Sequence, residues 1–475
     1  MSNENKSNDQ ISRNRITIVN ENTGLMETGY EFRNAEEANL YRNIYPYNSI
    51  PKLIFGQRIV PMNLPKQIFV TDTTFRDGQQ SVSPYSVDEI YDLFRLLNKM
   101  DNGSGIIRQS EFFVYYEKDK KAIEKCREAG LEFPEITSWI RAKKEDLQIV
   151  KDLGIKETGM LMSVSDYHIY HKLGWDREQA MKNYLGVAKD ALEAGIKPRC
   201  HFEDITRANI SHFVLPLAEN LMKLSEEYGI PVKIRACDTL GLGSSIPGVV
   251  LPRSVQAIMY NLRNYAGVPS ECLEWHGNND FYNAVPNAVT AWLYGCAGVN
   301  TSLLGIGERT GNTPLEAMVI EYCQIKGDNG GMKLEVITEI AEYFENRLNY
   351  EIPVRTPFAG RAFNATRAGI HADGLLKNEE IYNIFDTTKI LGRPPVVIID
   401  AVSGRAGIAA WLNTYFNLKD GKKIDKQHPV IDKMKAWVDE QYESGRATSI
   451  GDAELEQLVH KFMPALLRLR ENRVE

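Results

Sequence analysis

Residues 67–83 read QIFVTDTTFRDGQQSVS. An apolar run, Ile68-Phe69-Val70, gives way at once to Asp72, Thr73, Thr74, Arg76 and Asp77, then to Gly78 and the paired amides Gln79 and Gln80. Apolar residues bounded in this way predict a buried strand that delivers charge at its C-terminal end. A guanidinium flanked by carboxylates at such a tip suits a site that holds a metal and a developing negative charge together. The alternative is a surface turn in which Arg76 and Asp77 merely pair with each other, and only the surrounding chain separates the two.

From Gln67 onward, short apolar runs recur at roughly thirty-residue intervals, the length of a βα unit. They fall at 67–72, 106–114, 135–139, 157–163, 197–203, 231–238, 272–276 and 298–303. Helical patterns lie between them, at 86–100, 176–194, 210–228, 253–265 and 283–295. In the first of these, Ser86 and Glu89 have capping-box spacing ahead of Ile90, Leu93, Leu96 and Leu97. Strands alternating with helices in this number predict an α/β fold of the (β/α)8 TIM-barrel type. That fold places functional groups at the C-terminal ends of its strands. Those ends carry Arg76 and Asp77; Glu111; Thr137 and Ser138; Ser163, Asp166 and His168; His201, Glu203, Asp204 and Arg207; Arg235, Asp238 and Thr239; His276, Asn278 and Asp280; and Glu308, Arg309 and Asn312.

The remaining chain divides into an N-terminal arm over 1–66, the barrel over 67–325, a helical linker over 326–360 and a smaller α-rich C-terminal domain over 361–475. Residues 1 to about 25 are polar and aperiodic, and mobility is expected there. The segment to Pro65, with Tyr41, Tyr45, Tyr47, Ile54 and Phe55, reads as an ordered arm that packs on the body or on a second subunit. In the C-terminal block, helices are expected at 430–442 and 453–463, and GIHADG around His371 reads as a glycine-flanked turn in close approach to another backbone.

Composition narrows the function classes. At 475 residues, 43% hydrophobic and 25% charged, the chain has ordinary globular values and length for a large core plus a smaller one. A net charge of −7 leaves no basic stripe, so nucleic acid is not expected as a partner. The six cysteines lack CxxC spacing, which argues against a disulfide framework or zinc ribbon and fits a reducing cytoplasm. The start, MSNENKSNDQ, has no apolar signal region, and no later run approaches the ~20 apolar residues of a bilayer span. A soluble cytoplasmic protein without a membrane partner is expected.

DTTFRDGQQ, HFEDITR, RACDTLG, WHGNND and GIGERTGNTPLEA together are far more specific than any one of them. In combination the chain resembles the metal-dependent Claisen-condensing enzymes that include the 2-isopropylmalate, homocitrate and citramalate synthases. The resemblance covers roughly residues 67–470 and leaves the arm unaccounted for. It implies that acetyl-CoA condenses with a 2-oxo acid, here oxaloacetate, with thioester hydrolysis releasing citrate and CoA; the sister 2-oxo acids are the alternatives. It assigns the divalent metal to Asp77, His276, Asn278 and Asn312, with Mn²⁺ first and Mg²⁺ or Co²⁺ as alternates. Asn278 stands where the family has a second histidine, and an amide oxygen leans toward hard ions over zinc.

By the same resemblance Arg76 steadies the enolate or oxyanion, Thr239 and Gln80 bind substrate, and Glu203 joins the acid/base network. Glu203 could instead be a rim partner of Arg207. His371 and Tyr382 are implied to act in the barrel of a neighbouring subunit, hence a domain-swapped homodimer. Ser403-Gly404-Arg405 lacks the histidine of the corresponding family element, and its role stays open. The leucine-sensing domain of 2-isopropylmalate synthases would begin beyond Glu475, so leucine feedback is not expected. A different class of function, a metal-free barrel serving as a binding or regulatory subunit, is the rival that Asn278 motivates.

Overall fold

The computed structural model describes residues 31–56, 60–418 and 420–466. The mobility expected for residues 1 to about 25 lies outside the described residues. The chain forms two compact units that divide between Lys333 and Leu334.

In the first unit, β1 (Phe69–Asp72), β2 (Ile107–Phe112), β3 (Glu135–Arg141), β4 (Glu157–Ser163), β5 (Lys197–Glu203), β6 (Lys233–Asp238), β7 (Leu273–Gly277) and β8 (Gly298–Thr301) close into a barrel in sequence order. All neighbours are parallel, and β8 pairs back onto β1. The intervening helices are α1 (Val87–Asp101), α2 (Glu117–Glu128), α3 (Lys144–Asp152), α4 (Arg177–Glu193), α5 (Leu215–Tyr228), α6 (Val255–Asn264), α7 (Ala284–Leu293) and α8 (Leu315–Lys326). This is the expected (β/α)8 barrel. The capping box forms as its spacing predicts: Ser86 Oγ accepts from Glu89 N–H, and Glu89 Oε2 from Ser86 N–H.

The barrel interior departs from the usual layers of branched apolar side chains. Side chains alternate across a strand, so β5 turns Arg199, His201 and Glu203 inward and leaves Cys200 and Phe202 facing the helices. Glu111 of β2, 1% exposed, stands at the centre of the charged interior. Its Oε2 accepts from Arg199 Nη2 at 2.5 Å and Arg235 Nη1 at 3.1 Å, and Arg235 also pairs with Glu274 at 2.8 Å. Room for this network requires Gly159 on β4, where a Cβ would lie 2.6 Å from His201 Nε2 and 2.9 Å from Glu111 Oε2.

The second unit contains α9 (Val336–Asn346), a two-stranded parallel ribbon of β9 (Ala365–Thr366) and β10 (Val396–Val397), and the helices α10 (Gly369–Lys377), α11 (Thr387–Leu391), α12 (Arg405–Tyr415), α13 (Pro429–Glu443) and α14 (Asp452–Phe462). Its core gathers Ile408, Trp411 and Leu412 of α12 with Met434, Val438, Leu455 and Val459. GIHADG is not a turn; it is the first two turns of α10. Gly369 does run beside another backbone, with a Cβ position 3.4 Å from Gly404 N, but Gly374 is small for a different reason: a Cβ there would lie 2.6 Å from the Tyr382 ring. Among the described residues, no helix is long and apolar enough to cross a membrane.

Candidate active site

Strand pairing sets one row of residues around the barrel mouth. Ser163 is in register with Glu203, Glu203 with Cys237, Cys237 with His276, His276 with Asn300, and Asn300 with Thr71. Arg76 and Asp77 follow β1 after three residues, while Thr239 directly follows β6 and Asn278 directly follows β7.

Arg76 is fixed from below. Glu111 Oε1 accepts from its Nε at 2.9 Å and pairs with Nη2 at 2.8 Å, while Nη1 binds Asp77 Oδ1, and the guanidinium carbon lies 5.5 Å from the Trp139 ring centroid. Burial opposes the cation, but Asp77 and Glu111 more than offset it, and the Arg76 pKa is raised. Burial likewise opposes the Glu111 carboxylate, which Arg235, Arg76, His201 and Arg199 nonetheless hold well below the usual range.

His276 Nδ1 lies 2.8 Å from Asn300 Oδ1, and Asn300 Nδ2 donates to Thr71 Oγ1 at 3.0 Å. With the amide so oriented, only the oxygen faces the imidazole, so Nδ1 carries the proton and the Nε2 lone pair is left for a ligand. That Nε2 stands 3.6 Å from Asp77 Oδ2, and Asn312 Nδ2 lies 3.5 Å from the same oxygen. Two donors each about 2.1 Å from one ion sit roughly 3–4 Å apart, so Asp77 and His276 fit a divalent cation between them. Burial lowers the His276 pKa, as does the field of Arg76 and Arg235, while Asp77 opposes them; a neutral imidazole is the ligand form. Asn278 Nδ2 donates to Thr239 O at 2.7 Å, which reserves the amide oxygen for any metal contact. Among the described residues, no three His, Cys, Asp or Glu side chains converge on a metal position; Asn312 turns its Nδ2 rather than its oxygen toward Asp77, so the donors placed here are one carboxylate and one imidazole, with the Asn278 oxygen left to join them.

Thr239 Oγ1 accepts from Asp204 N–H at 2.8 Å, which leaves its own hydroxyl proton to donate. Gln79 is consumed structurally, donating to Phe75 O at 2.6 Å and accepting from Lys118 Nζ at 2.5 Å, whereas Gln80 is exposed at the end of the 3-10 turn Gly78–Gln80. Glu203 does not pair with Arg207; that arginine binds Asp204, Nη2 to Oδ2 at 2.7 Å. Glu203 is held by Ser163 Oγ, by His168 Nδ1 3.0 Å from Oε2, and by Lys172 Nζ at 2.9 Å. Burial works against its charge, but His168, Lys172 and Ser163 prevail and bring its pKa to about 2. Asp204 and Asp238 are structural: Asp238 accepts from Thr206 Oγ1 at 2.8 Å and Gly243 N–H at 2.9 Å. In the second unit, His371 and Tyr382 pack ring to ring with centroids 4.3 Å apart.

Sequence reading placed Glu111, His168 and Arg235 on the rim without a task and passed over Lys172 and Asn300. For Glu111, Arg235 and Asn300 the signal available to it was polar residues at alternate positions inside strands, whereas His168 and Lys172 lie outside any strand. What it lacked was the pairing.

A closed parallel barrel with a carboxylate, an imidazole and a buttressed guanidinium at its mouth has the fold and the groups of a metal-assisted barrel enzyme. The chain belongs to the HMGL-like family, whose model matches residues 67–343, and enzymes of this family generally depend on a divalent metal. It is 60% identical over 444 residues to citrate (Re)-synthase of Clostridium kluyveri, covering 94% of this chain and 98% of that protein. It is 52% identical over 437 residues to citrate (Re)-synthase of Syntrophus aciditrophicus, covering 92% of this chain and 70% of that protein. The 2-phosphinomethylmalate synthase of Streptomyces hygroscopicus is 36% identical over 437 residues, with 90% and 97% coverage.

Proposed function

We propose that this chain is an acyltransferase that makes citrate. A methyl proton leaves acetyl-CoA, the resulting carbon attacks the keto carbon of oxaloacetate, and the keto oxygen takes up a proton. Water then cleaves the thioester to give citrate and CoA. The observation that carries the reading is the 60% identity to a citrate (Re)-synthase over 98% of its length, and the facial selectivity proposed is the one in that name.

Asp77, His276 and Asn278 are the proposed holders of the cation, with Asn312 beside them donating from Nδ2 to Asp77 Oδ2 rather than offering its oxygen, and the carboxylate and amide oxygens favour Mn²⁺, then Mg²⁺ or Co²⁺. When bound, such a cation supplies Lewis-acid polarisation of a keto group and a template for its oxygens. Arg76, immobilised by Glu111, offers a fixed cation where negative charge develops on oxygen. Thr239 donates its hydroxyl proton to the 2-oxo acid's carboxylate, and exposed Gln80 joins it in binding. Glu203 enters as a carboxylate, the proton-accepting form. His371 with Tyr382 is the second proton-transfer pair, acting in the barrel of a partner copy in a swapped homodimer; the family resemblance and the ring contact support this. The cysteines are free thiols, which suits a cytoplasmic setting.

CoA release from acetyl-CoA against a panel of 2-oxo acids tests the substrate. Oxaloacetate is expected to give the highest kcat/KM; a higher value with 2-oxoglutarate, 3-methyl-2-oxobutanoate or pyruvate would replace it.

A further inference from the structure

The arm precedes the segment that the family model matches, yet it is tied to the barrel mouth on both sides of Glu203. On one side, Asn39 N–H donates to Asp166 Oδ2 at 2.7 Å and Tyr167 Oη donates to Leu40 O. Asp166 and Tyr167 lead into the turn Tyr167–Lys172, which supplies His168 and Lys172 to the Glu203 carboxylate. On the other side, Tyr45, buried at 8% exposure, donates its hydroxyl to Thr206 O. Thr206 belongs to the turn Ile205–Arg207, which follows the left-handed Asp204 (φ +63°). The amide of Asp204 is what Thr239 Oγ1 accepts from.

We propose that the arm is a strap, with Tyr45 and Tyr167 as positioning residues, that fixes the two rim turns presenting Glu203 and Thr239 to substrate. A merely structural arm could bind anywhere on the barrel. The arm also binds elsewhere, where Arg253 Nη1 donates to Lys52 O and Asn63 N–H to Leu293 O, but its two tyrosine contacts fall at Tyr167, next to the Glu203 holder His168, and at Thr206, three residues past Glu203, and neither touches Asp77, His276 or Asn312. The strap therefore acts first on turnover and 2-oxo acid binding, and reaches the proposed metal holders only through Asn278, whose Nδ2 donates to Thr239 O. This proposal rests on the citrate-forming reading above.

The test uses full-length Tyr45→Phe and Tyr167→Phe, singly and together. Each removes one hydroxyl and keeps the ring. Amide hydrogen exchange is read in segments 163–172 and 203–207, alongside kcat, KM for oxaloacetate and Mn²⁺ affinity by calorimetry. The double variant is expected to exchange at least about tenfold faster in those segments with strand amides unchanged, and to lose about tenfold or more in kcat/KM. Mn²⁺ affinity is expected to stay within about twofold of the parent. Unchanged exchange, or faster exchange at full turnover, would overturn the strap; so would loosening spread through the barrel with loss of Mn²⁺ affinity. A parent protein without citrate-forming activity contradicts the proposed function alone, whereas rim exchange insensitive to these variants contradicts the strap for any substrate.

Discussion

Arg76 owes its place to Glu111, 35 residues along the chain, as much as to its neighbour Asp77. A cation held on two sides loses little freedom when charge appears in front of it, which is why such donors matter more in the transition state than in the ground state. Arg76→Ala is expected to fold normally and to lose about 10²- to 10³-fold in turnover, the scale of one oxyanion donor. Near-parental turnover in that variant removes the role. Asn278 makes a different prediction. Its nitrogen is committed to Thr239 O, so only its oxygen can face a cation, and oxygen is a weaker partner than imidazole for zinc or cobalt. Asn278→His should bind metal more tightly and accept Zn²⁺ or Co²⁺ more readily. A metal dissociation constant unchanged from the parent leaves Asn278 outside the coordination shell.

At the scale of the element, the loop after β8 shows how strongly backbone geometry limits the site. Gly311 has φ +87°, and a Cβ there would lie 2.2 Å from Gly305 O. That glycine lets the chain fold back so that Asn312 N–H reaches Gly305 O at 2.8 Å and the Asn312 side chain turns toward Asp77. Gly311→Ala should cost about 2 kcal/mol or more, since the left-handed conformation and the contact both oppose a side chain. The denaturation midpoint measures it, and a midpoint equal to the parent's would mean the loop relaxes freely.

Strands were the most legible elements. The expected 157–163 and 197–203 coincide with β4 and β5, because alternating apolar residues between polar turns mark a strand within one segment. Asp77 and His276 were singled out through the family resemblance, and only His276 also ends such a run. The Glu111 network was not, because its partners Arg199 and Arg235 are 88 and 124 residues away in sequence. Helix α10 was misread because Gly369 and Gly374 look like turn residues locally, while the need for Gly374 comes from the Tyr382 ring. The ribbon of β9 and β10, two residues a strand, carries too little pattern to be seen.

The whole molecule divides into a barrel unit that carries the Arg76, Asp77 and His276 mouth and a second unit that carries the His371–Tyr382 ring pair. If that pair serves a partner's barrel, sites are shared between copies, and symmetry makes the sharing testable. Arg76→Ala and His371→Ala proteins, each inactive alone, should regain activity when dissociated and reassembled together, because one of the hybrid's sites contains neither change. Mixtures as inactive as their parents would place His371 outside catalysis or in its own subunit. The interior offers a second check at this scale. Removing one member of a buried ion network leaves its partners uncompensated, typically at about 3–5 kcal/mol. Glu274→Ala, which strips Arg235 of its 2.8 Å partner, is therefore expected to destabilise the barrel by that order in chemical denaturation, and a change below about 1 kcal/mol would show the network to be dispensable.

The central claim is that this mouth joins two carbon skeletons and releases citrate. Purified protein with Mn²⁺, oxaloacetate and acetyl-CoA carrying ¹³C in its methyl group, followed by carbon NMR, tests it most directly. The account predicts the label in a methylene carbon of citrate, with one CoA released per citrate formed. Labelled acetate with CoA and no labelled citrate, or labelled product only when another 2-oxo acid replaces oxaloacetate, would contradict it.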